Sequence, residues 1–247
     1  MINKLLIAIF LYLCIVLLPT TVKANDAIIT ESGRSVYPIN TDKVRMVSEH
    51  IKVFMKKAGP KDIWRYADIE CNFVFENTSN QQITAKVGFP TSTFYDEEPP
   101  PFTDFQSNVD GLFQKVEAKK EILETRKTET PTWDGRFTYD VYRYWYVRET
   151  KFPPAKRLNV NISYTTDLSV YEYGAQYEFE YILKTGSLWK SNIEKATIEV
   201  IYTDEKQLKE RFVSASPKVY KIKGNRIIWE FANFKPSENI IVIEKGE

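Results

Sequence analysis

This chain is poor in the residues that carry most enzyme chemistry. Its 247 residues include two cysteines and one histidine. Cys14 lies in an N-terminal apolar run, which leaves Cys71 alone in the remainder. A lone thiol closes no internal disulfide, so burial has to hold the core together. His50 has no second imidazole or thiol at ligand spacing, which excludes the usual zinc patterns. A Ser-His-Asp arrangement would have to use His50 from within Ser48-Glu49-His50-Ile51, a strand-like stretch. No glycine-rich phosphate loop and no calcium-hand spacing occurs. No metal and no cofactor is expected.

An excess of one charge is missing too. Lys and Arg number 34 against 33 Asp and Glu, and removal of Lys4 and Lys23 tips the balance to the acidic side. Such a chain has no electrostatic case for nucleic acid or for an anionic membrane surface.

The N-terminus predicts an address. Met1-Ile2-Asn3-Lys4 is a positive start, Leu5 to Leu18 is apolar and uncharged, and Pro19 ends the run. Val22-Lys23-Ala24 then has the small or apolar residues that a signal peptidase reads, so residues 1–24 are expected to be a signal peptide. The run is shorter than the roughly 20 residues that span a bilayer. Export to the periplasm or outside the cell is therefore expected, with no membrane insertion after cleavage. Cys14 fails as a lipidation site, because Leu13 precedes it where a small residue is needed.

What the chain has is period-two alternation, and this predicts an all-β, antiparallel sandwich. Ile69, Cys71, Phe73 and Phe75 share one face, and Ile83, Ala85, Val87 and Phe89 form another after Glu76-Asn77-Thr78-Ser79-Asn80. The two runs read as a hairpin, with Cys71 pointing inward. Asp110-Gly111 predicts a second hairpin and Gly224-Asn225 a third. Leu158 to Tyr164, Tyr177 to Leu183, Ala196 to Tyr202 and Ile240 to Ile243 add further rows.

Asp204 to Phe212, with an acidic start and late basic residues, predicts one or two helical turns. Glu49 reads as a residue beside a bulge, since Val44 and Met46 are out of step with Ile51, Val53 and Met55. The charged stretch Lys115 to Glu129 suits a short helix, a strand or a link. Two sandwich-like halves are expected, 25–125 and 126–247.

Candidate chemistry is limited to carboxylates and aromatic rings. Asp96-Glu97-Glu98, Glu172, Glu178 and Glu180 could supply the acid pair of a glycoside hydrolase. Tyr139 to Tyr146 reads Tyr-Asp-Val-Tyr-Arg-Tyr-Trp-Tyr and loads both faces of one strand with large rings. Packing explains one face, and an exposed platform for sugars or a peptide would explain the other. On that reading the ligand-binding residues are Tyr142, Tyr144 and Tyr146, with Tyr171 and Tyr173 near Gly174.

Four segments carry a family resemblance. They are Tyr37-Pro38-Ile39 with Val44 to Val53; Phe73 to Asn77 with Val87-Gly88-Phe89-Pro90; Tyr181 to Gly186 with Trp189 and Ile193; and Trp229-Glu230-Phe231 with Phe234, Pro236, Asn239 and Ile240. In that order they resemble a family of exported bacterial proteins known as domain of unknown function 4424. The resemblance implies export and β structure, and it carries no activity to transfer.

The functional expectation is a non-enzymatic β protein that binds an envelope glycan, peptide or protein partner. The alternatives are a carboxylate-dependent hydrolase and a purely structural envelope accessory. An exposed ring cluster favours the first, and two carboxylates within about 10 Å in a cleft favour the second.

Overall fold

The computed structural model describes residues 26–32, 35–39, 41–57, 64–94, 100–127, 138–171 and 175–246. The signal segment, Asp96 to Glu98, Glu172 and Tyr173 lie outside them. Described strands in the first half of the chain are β1 (Ala27–Ser32), β2 (Ser35–Ile39), β3 (Val44–Lys57), β4 (Arg65–Asn77) and β5 (Ile83–Pro90). Next come β6 (Thr103–Val109), β7 (Leu112–Phe113), β8 (Glu117–Lys127), β9 (Thr138–Phe152), β10 (Arg157–Asp167), β11 (Ser169–Tyr171) and β12 (Gln176–Tyr181). The chain ends with β13 (Ile193–Ile201), helix α1 (Glu205–Arg211), β14 (Phe212–Ser216), β15 (Lys221–Lys223), β16 (Arg226–Phe234) and β17 (Ile240–Lys245).

The fold is all-β. Its strands form a five-stranded sheet (β2-β1-β5-β9-β8), an eight-stranded sheet (β15-β16-β13-β3-β4-β10-β6-β7) and a four-stranded sheet (β11-β12-β17-β14). Among the described residues every strand pairing is antiparallel except β13 on β3. One core of buried apolar side chains draws on all three sheets, with Val87 and Phe89 from the first, Ile51 and Phe73 from the second, and Phe179 and Val242 from the third.

Local readings hold in several places. Asp110 and Gly111 adopt positive φ between β6 and β7, and Gly224 does so between β15 and β16. Asp204 caps α1 by accepting a hydrogen bond from the Gln207 amide. The bulge in β3 lies between Met46 and Ser48, and it swaps the faces of the strand so that Glu49 turns inward. Cys71 is buried, and loss of hydration pushes its thiol well above the ordinary range.

Two expectations are corrected. β4 and β5 are not a hairpin, because β4 pairs with β3 and β10 while β5 pairs with β1 and β9. Buried Asn77 carries the chain between sheets by donating to the carbonyls of Gln81 (2.7 Å) and Phe152 (3.0 Å). Phe75 and Phe89 thus enter the same core from different sheets, since each row needs a facing sheet to bury it.

Nor do 25–125 and 126–247 form separate halves. β10 lies between β4 and β6, and β13 pairs with β3, so both stretches build the same sheet. Of the helix, strand and link open for the charged stretch, the strand is found: it is largely β8, an edge of the five-stranded sheet. An edge with an exposed face tolerates and uses charge to deter further pairing.

Candidate functional site

β9 lies inside the five-stranded sheet, between β5 and β8, and both of its faces are covered. Tyr146 faces the main core, while Trp145 and Val147 face a smaller cluster with Ala27, Ile29 and Leu188. Tyr142 is 1% exposed and Tyr146 6%, and Tyr144 packs half-buried against the core. The run Tyr142, Tyr144 and Tyr146 therefore presents no open platform. Both faces are ring-rich because both are interior. Tyr171, by contrast, is 49% exposed.

The cleft lies elsewhere, where the three sheets meet. It has a volume of about 510 Å³. Its floor is aromatic, with Phe102 stacked on Tyr164 at 4.1 Å between ring centres and Phe89 at 5.4 Å from Tyr164. At the rim Trp64 is 58% exposed and Val170 44%.

Each wall is fixed for a local reason. Pro90 ends β5, and the Thr91 amide and hydroxyl then pair with the Tyr144 backbone at 2.9 and 3.0 Å. That tether runs Ser92 and Thr93 along the cleft. Tyr146 supports the floor from behind, since its hydroxyl accepts from the Phe102 amide (2.9 Å) and donates to the Phe102 carbonyl (3.0 Å). The third wall is β12, whose alternation buries Tyr177, Phe179 and Tyr181 and turns Glu178 and Glu180 the other way.

The polar groups are unevenly charged. Asp167, Glu178 and Glu180 line the cleft, and no Lys, Arg or His does so among the described residues. Glu180 is held in place by Ser92 Oγ (2.9 Å) and Asn239 Nδ2 (2.8 Å), each donating to one of its oxygens. Glu178 has its carboxyl pushed up, first by burial and then by the charge of Glu180, with Tyr171 donating to it in opposition. Tyr164 is 6% exposed and lines the cleft, and burial pushes its phenol well up.

Of the tyrosines expected to bind, Tyr171 thus reaches the site through Glu178, and Tyr146 serves it as a support. Tyr142 and Tyr144 stand behind it, with Tyr142 between Phe94 (6.0 Å) and the Lys120 ammonium (3.8 Å). The carboxylates Glu178 and Glu180 were among the candidate acids of the sequence. Trp64, Val170 and Tyr164 were not, since they come together only through sheet packing.

Glu178 and Glu180 stand about 7 Å apart along one strand. Their separation suits an acid pair, but both stand on the same wall. Hydrolysis of a glycoside needs carboxylates flanking the scissile bond. His50 is on the surface of the eight-stranded sheet, paired with Glu199 at 2.8 Å and remote from the cleft lining. Among the described residues no cluster of His, Cys, Asp and Glu could hold a metal, and no helix is long and apolar enough to cross a membrane.

Comparison with known proteins gives a fold and little more. No family model and no curated protein matches the chain. Among solved structures, a Legionella pneumophila protein put forward as a nutrient binding protein aligns with a TM-score of 0.62 at 21% identity. The match covers 90% of this chain and 72% of that one. The two share a fold. An M1 zinc metallopeptidase of Deinococcus radiodurans aligns over 84% of this chain and 43% of its own, with a TM-score of 0.35 and 9% identity, too loosely to argue from.

Proposed function

We propose that this chain is an exported, non-enzymatic binding protein of the bacterial envelope, and that the three-sheet cleft holds its ligand. The observation that carries this reading is a partly open cavity that combines a ring-stacked floor with a few fixed polar groups. A volume of about 510 Å³ suits a small molecule, a sugar unit or the side chains of a short peptide. Support comes from the fold shared with a protein put forward as nutrient binding. The resemblance to the exported family of domain of unknown function 4424, and the signal-like start, support the location.

The carboxylate pair is what favours the second reading, a hydrolase. Against it stand the shared wall and the two hydrogen bonds that occupy Glu180.

Trp64→Ala tests the binding reading, because this exposed ring can be lost without opening the core. A panel of envelope glycans, short peptides and small metabolites would be screened by thermal shift and calorimetry. At least one compound is expected to bind, and to bind the variant about ten-fold or more weakly at unchanged melting temperature. Binding indifferent to Trp64 would put the ligand elsewhere. Turnover of a bound glycoside would favour the hydrolase.

A further inference from the structure

Resting on that reading, we infer that the cleft takes a small organic cation, one carrying a protonated amine or ammonium group.

Charge and desolvation point the same way. The described lining carries three carboxylates and no cationic side chain. Behind the wall the buried Arg143 pairs with Glu121 at 3.1 Å and also feels the charge of Glu180, which leaves Asp167 and Glu178 as the carboxylates that a cation would chiefly meet. An anionic ligand would enter against Asp167, Glu178 and Glu180 with nothing in the lining to offset them. A neutral ligand would leave Glu178 half-buried beside a like charge, the arrangement that lifts its carboxyl. A cation relieves that repulsion directly.

The aromatic groups supply the second, independent argument. Phe102 stacks on Tyr164, Phe89 meets Tyr164 edge-on, and Trp64 stands at the rim. Ring faces attract ammonium groups, more so where water is excluded. Tyr164 brings a ring from β10 into the same lining. Rings and carboxylates around one cavity describe a receptor for an amine.

The cavity also limits size. About 510 Å³ admits a diamine, an amino acid or an amino sugar, and excludes a folded partner.

Calorimetric titration of the full chain with 1,5-diaminopentane and with pentane-1,5-diol separates charge from shape. The diamine is expected to bind and the diol not. Glu178→Gln keeps the side-chain shape and removes the charge, and it is expected to weaken the diamine about ten-fold or more. Lys206→Gln, on α1 and outside the cleft, is expected to change nothing. Melting curves confirm that each variant is folded.

Equal affinity for diol and diamine would overturn the cation assignment, as would a diamine affinity indifferent to Glu178→Gln. A neutral or anionic compound bound in a Trp64-dependent way would overturn the assignment but leave the cleft as a binding site. No Trp64-dependent ligand of any charge would overturn both.

Discussion

Glu244→Ala is expected to lower the stability of the fold by about 3–5 kcal/mol, among the largest effects of any single substitution in this chain. Glu244 is fully buried in β17, where its Oε2 lies 2.7 Å from Arg65 Nη1 and 3.5 Å from Arg211 Nε. Arg65 also donates to the Lys245 carbonyl (2.9 Å) and lies over the Tyr177 ring at 4.1 Å. Two guanidinium groups from β4 and α1 therefore depend on one carboxylate that is itself fully buried.

The Tyr202 phenol beside them is pushed far up, first by burial and then by the charge of Glu244. Urea denaturation at neutral pH should show a lower midpoint with an unchanged slope. A loss under about 1 kcal/mol would mean that solvent reaches the arginines.

Trp189→Ala should cost a similar amount, about 3–5 kcal/mol, by a different route. The Trp189 ring closes a 3-10 turn (Lys184–Leu188) and packs at 4.5 Å from Phe75 and 6.3 Å from Phe152. Its indole Nε1 donates to the Asp26 carbonyl, at the point where the buried Asp26 carboxylate meets Arg148 (3.1 Å). One side chain thus joins the start of β1 to β4 and β9. The melting temperature should fall on the order of 10 °C. Trp189→Phe keeps most of the ring contact and loses the hydrogen bond, so about 1–2 kcal/mol is expected. A Phe variant as damaged as the Ala variant would show that the indole bond, not packing, holds the junction.

Strand faces could be read locally because alternation is a property of a single segment. Phe73, Phe75, Val87 and Phe89 all face inward as their spacing demands, and Asp110-Gly111 makes the turn that its backbone freedom allows. Pairing could not be read that way. Whether β5 lies beside β4 or faces it depends on Asn77, whose amide reaches Phe152 far along the chain. The same limit misplaced the rings of β9. Tyr142 to Tyr146 looked too aromatic for one core layer, and β9 has a layer on each face.

The cleft suffered most from this limit. Glu178 and Glu180 stood among the candidate acids, but Trp64, Tyr164 and Val170 come from three different segments. Only the meeting of three sheets brings them to one cavity.

The central claim is that this cleft is where a ligand binds, and methyl chemical-shift mapping tests it most directly. Leu168, Val170 and Ile182 line the cleft, while Leu112, Val219 and Ile222 are exposed elsewhere and serve as internal controls. Titration with 1,5-diaminopentane, and then with neutral and anionic envelope metabolites, should shift the first three methyl groups and leave the second three in place. Shifts confined to Leu112, Val219 or Ile222, or no cleft shift with any compound, would contradict the account.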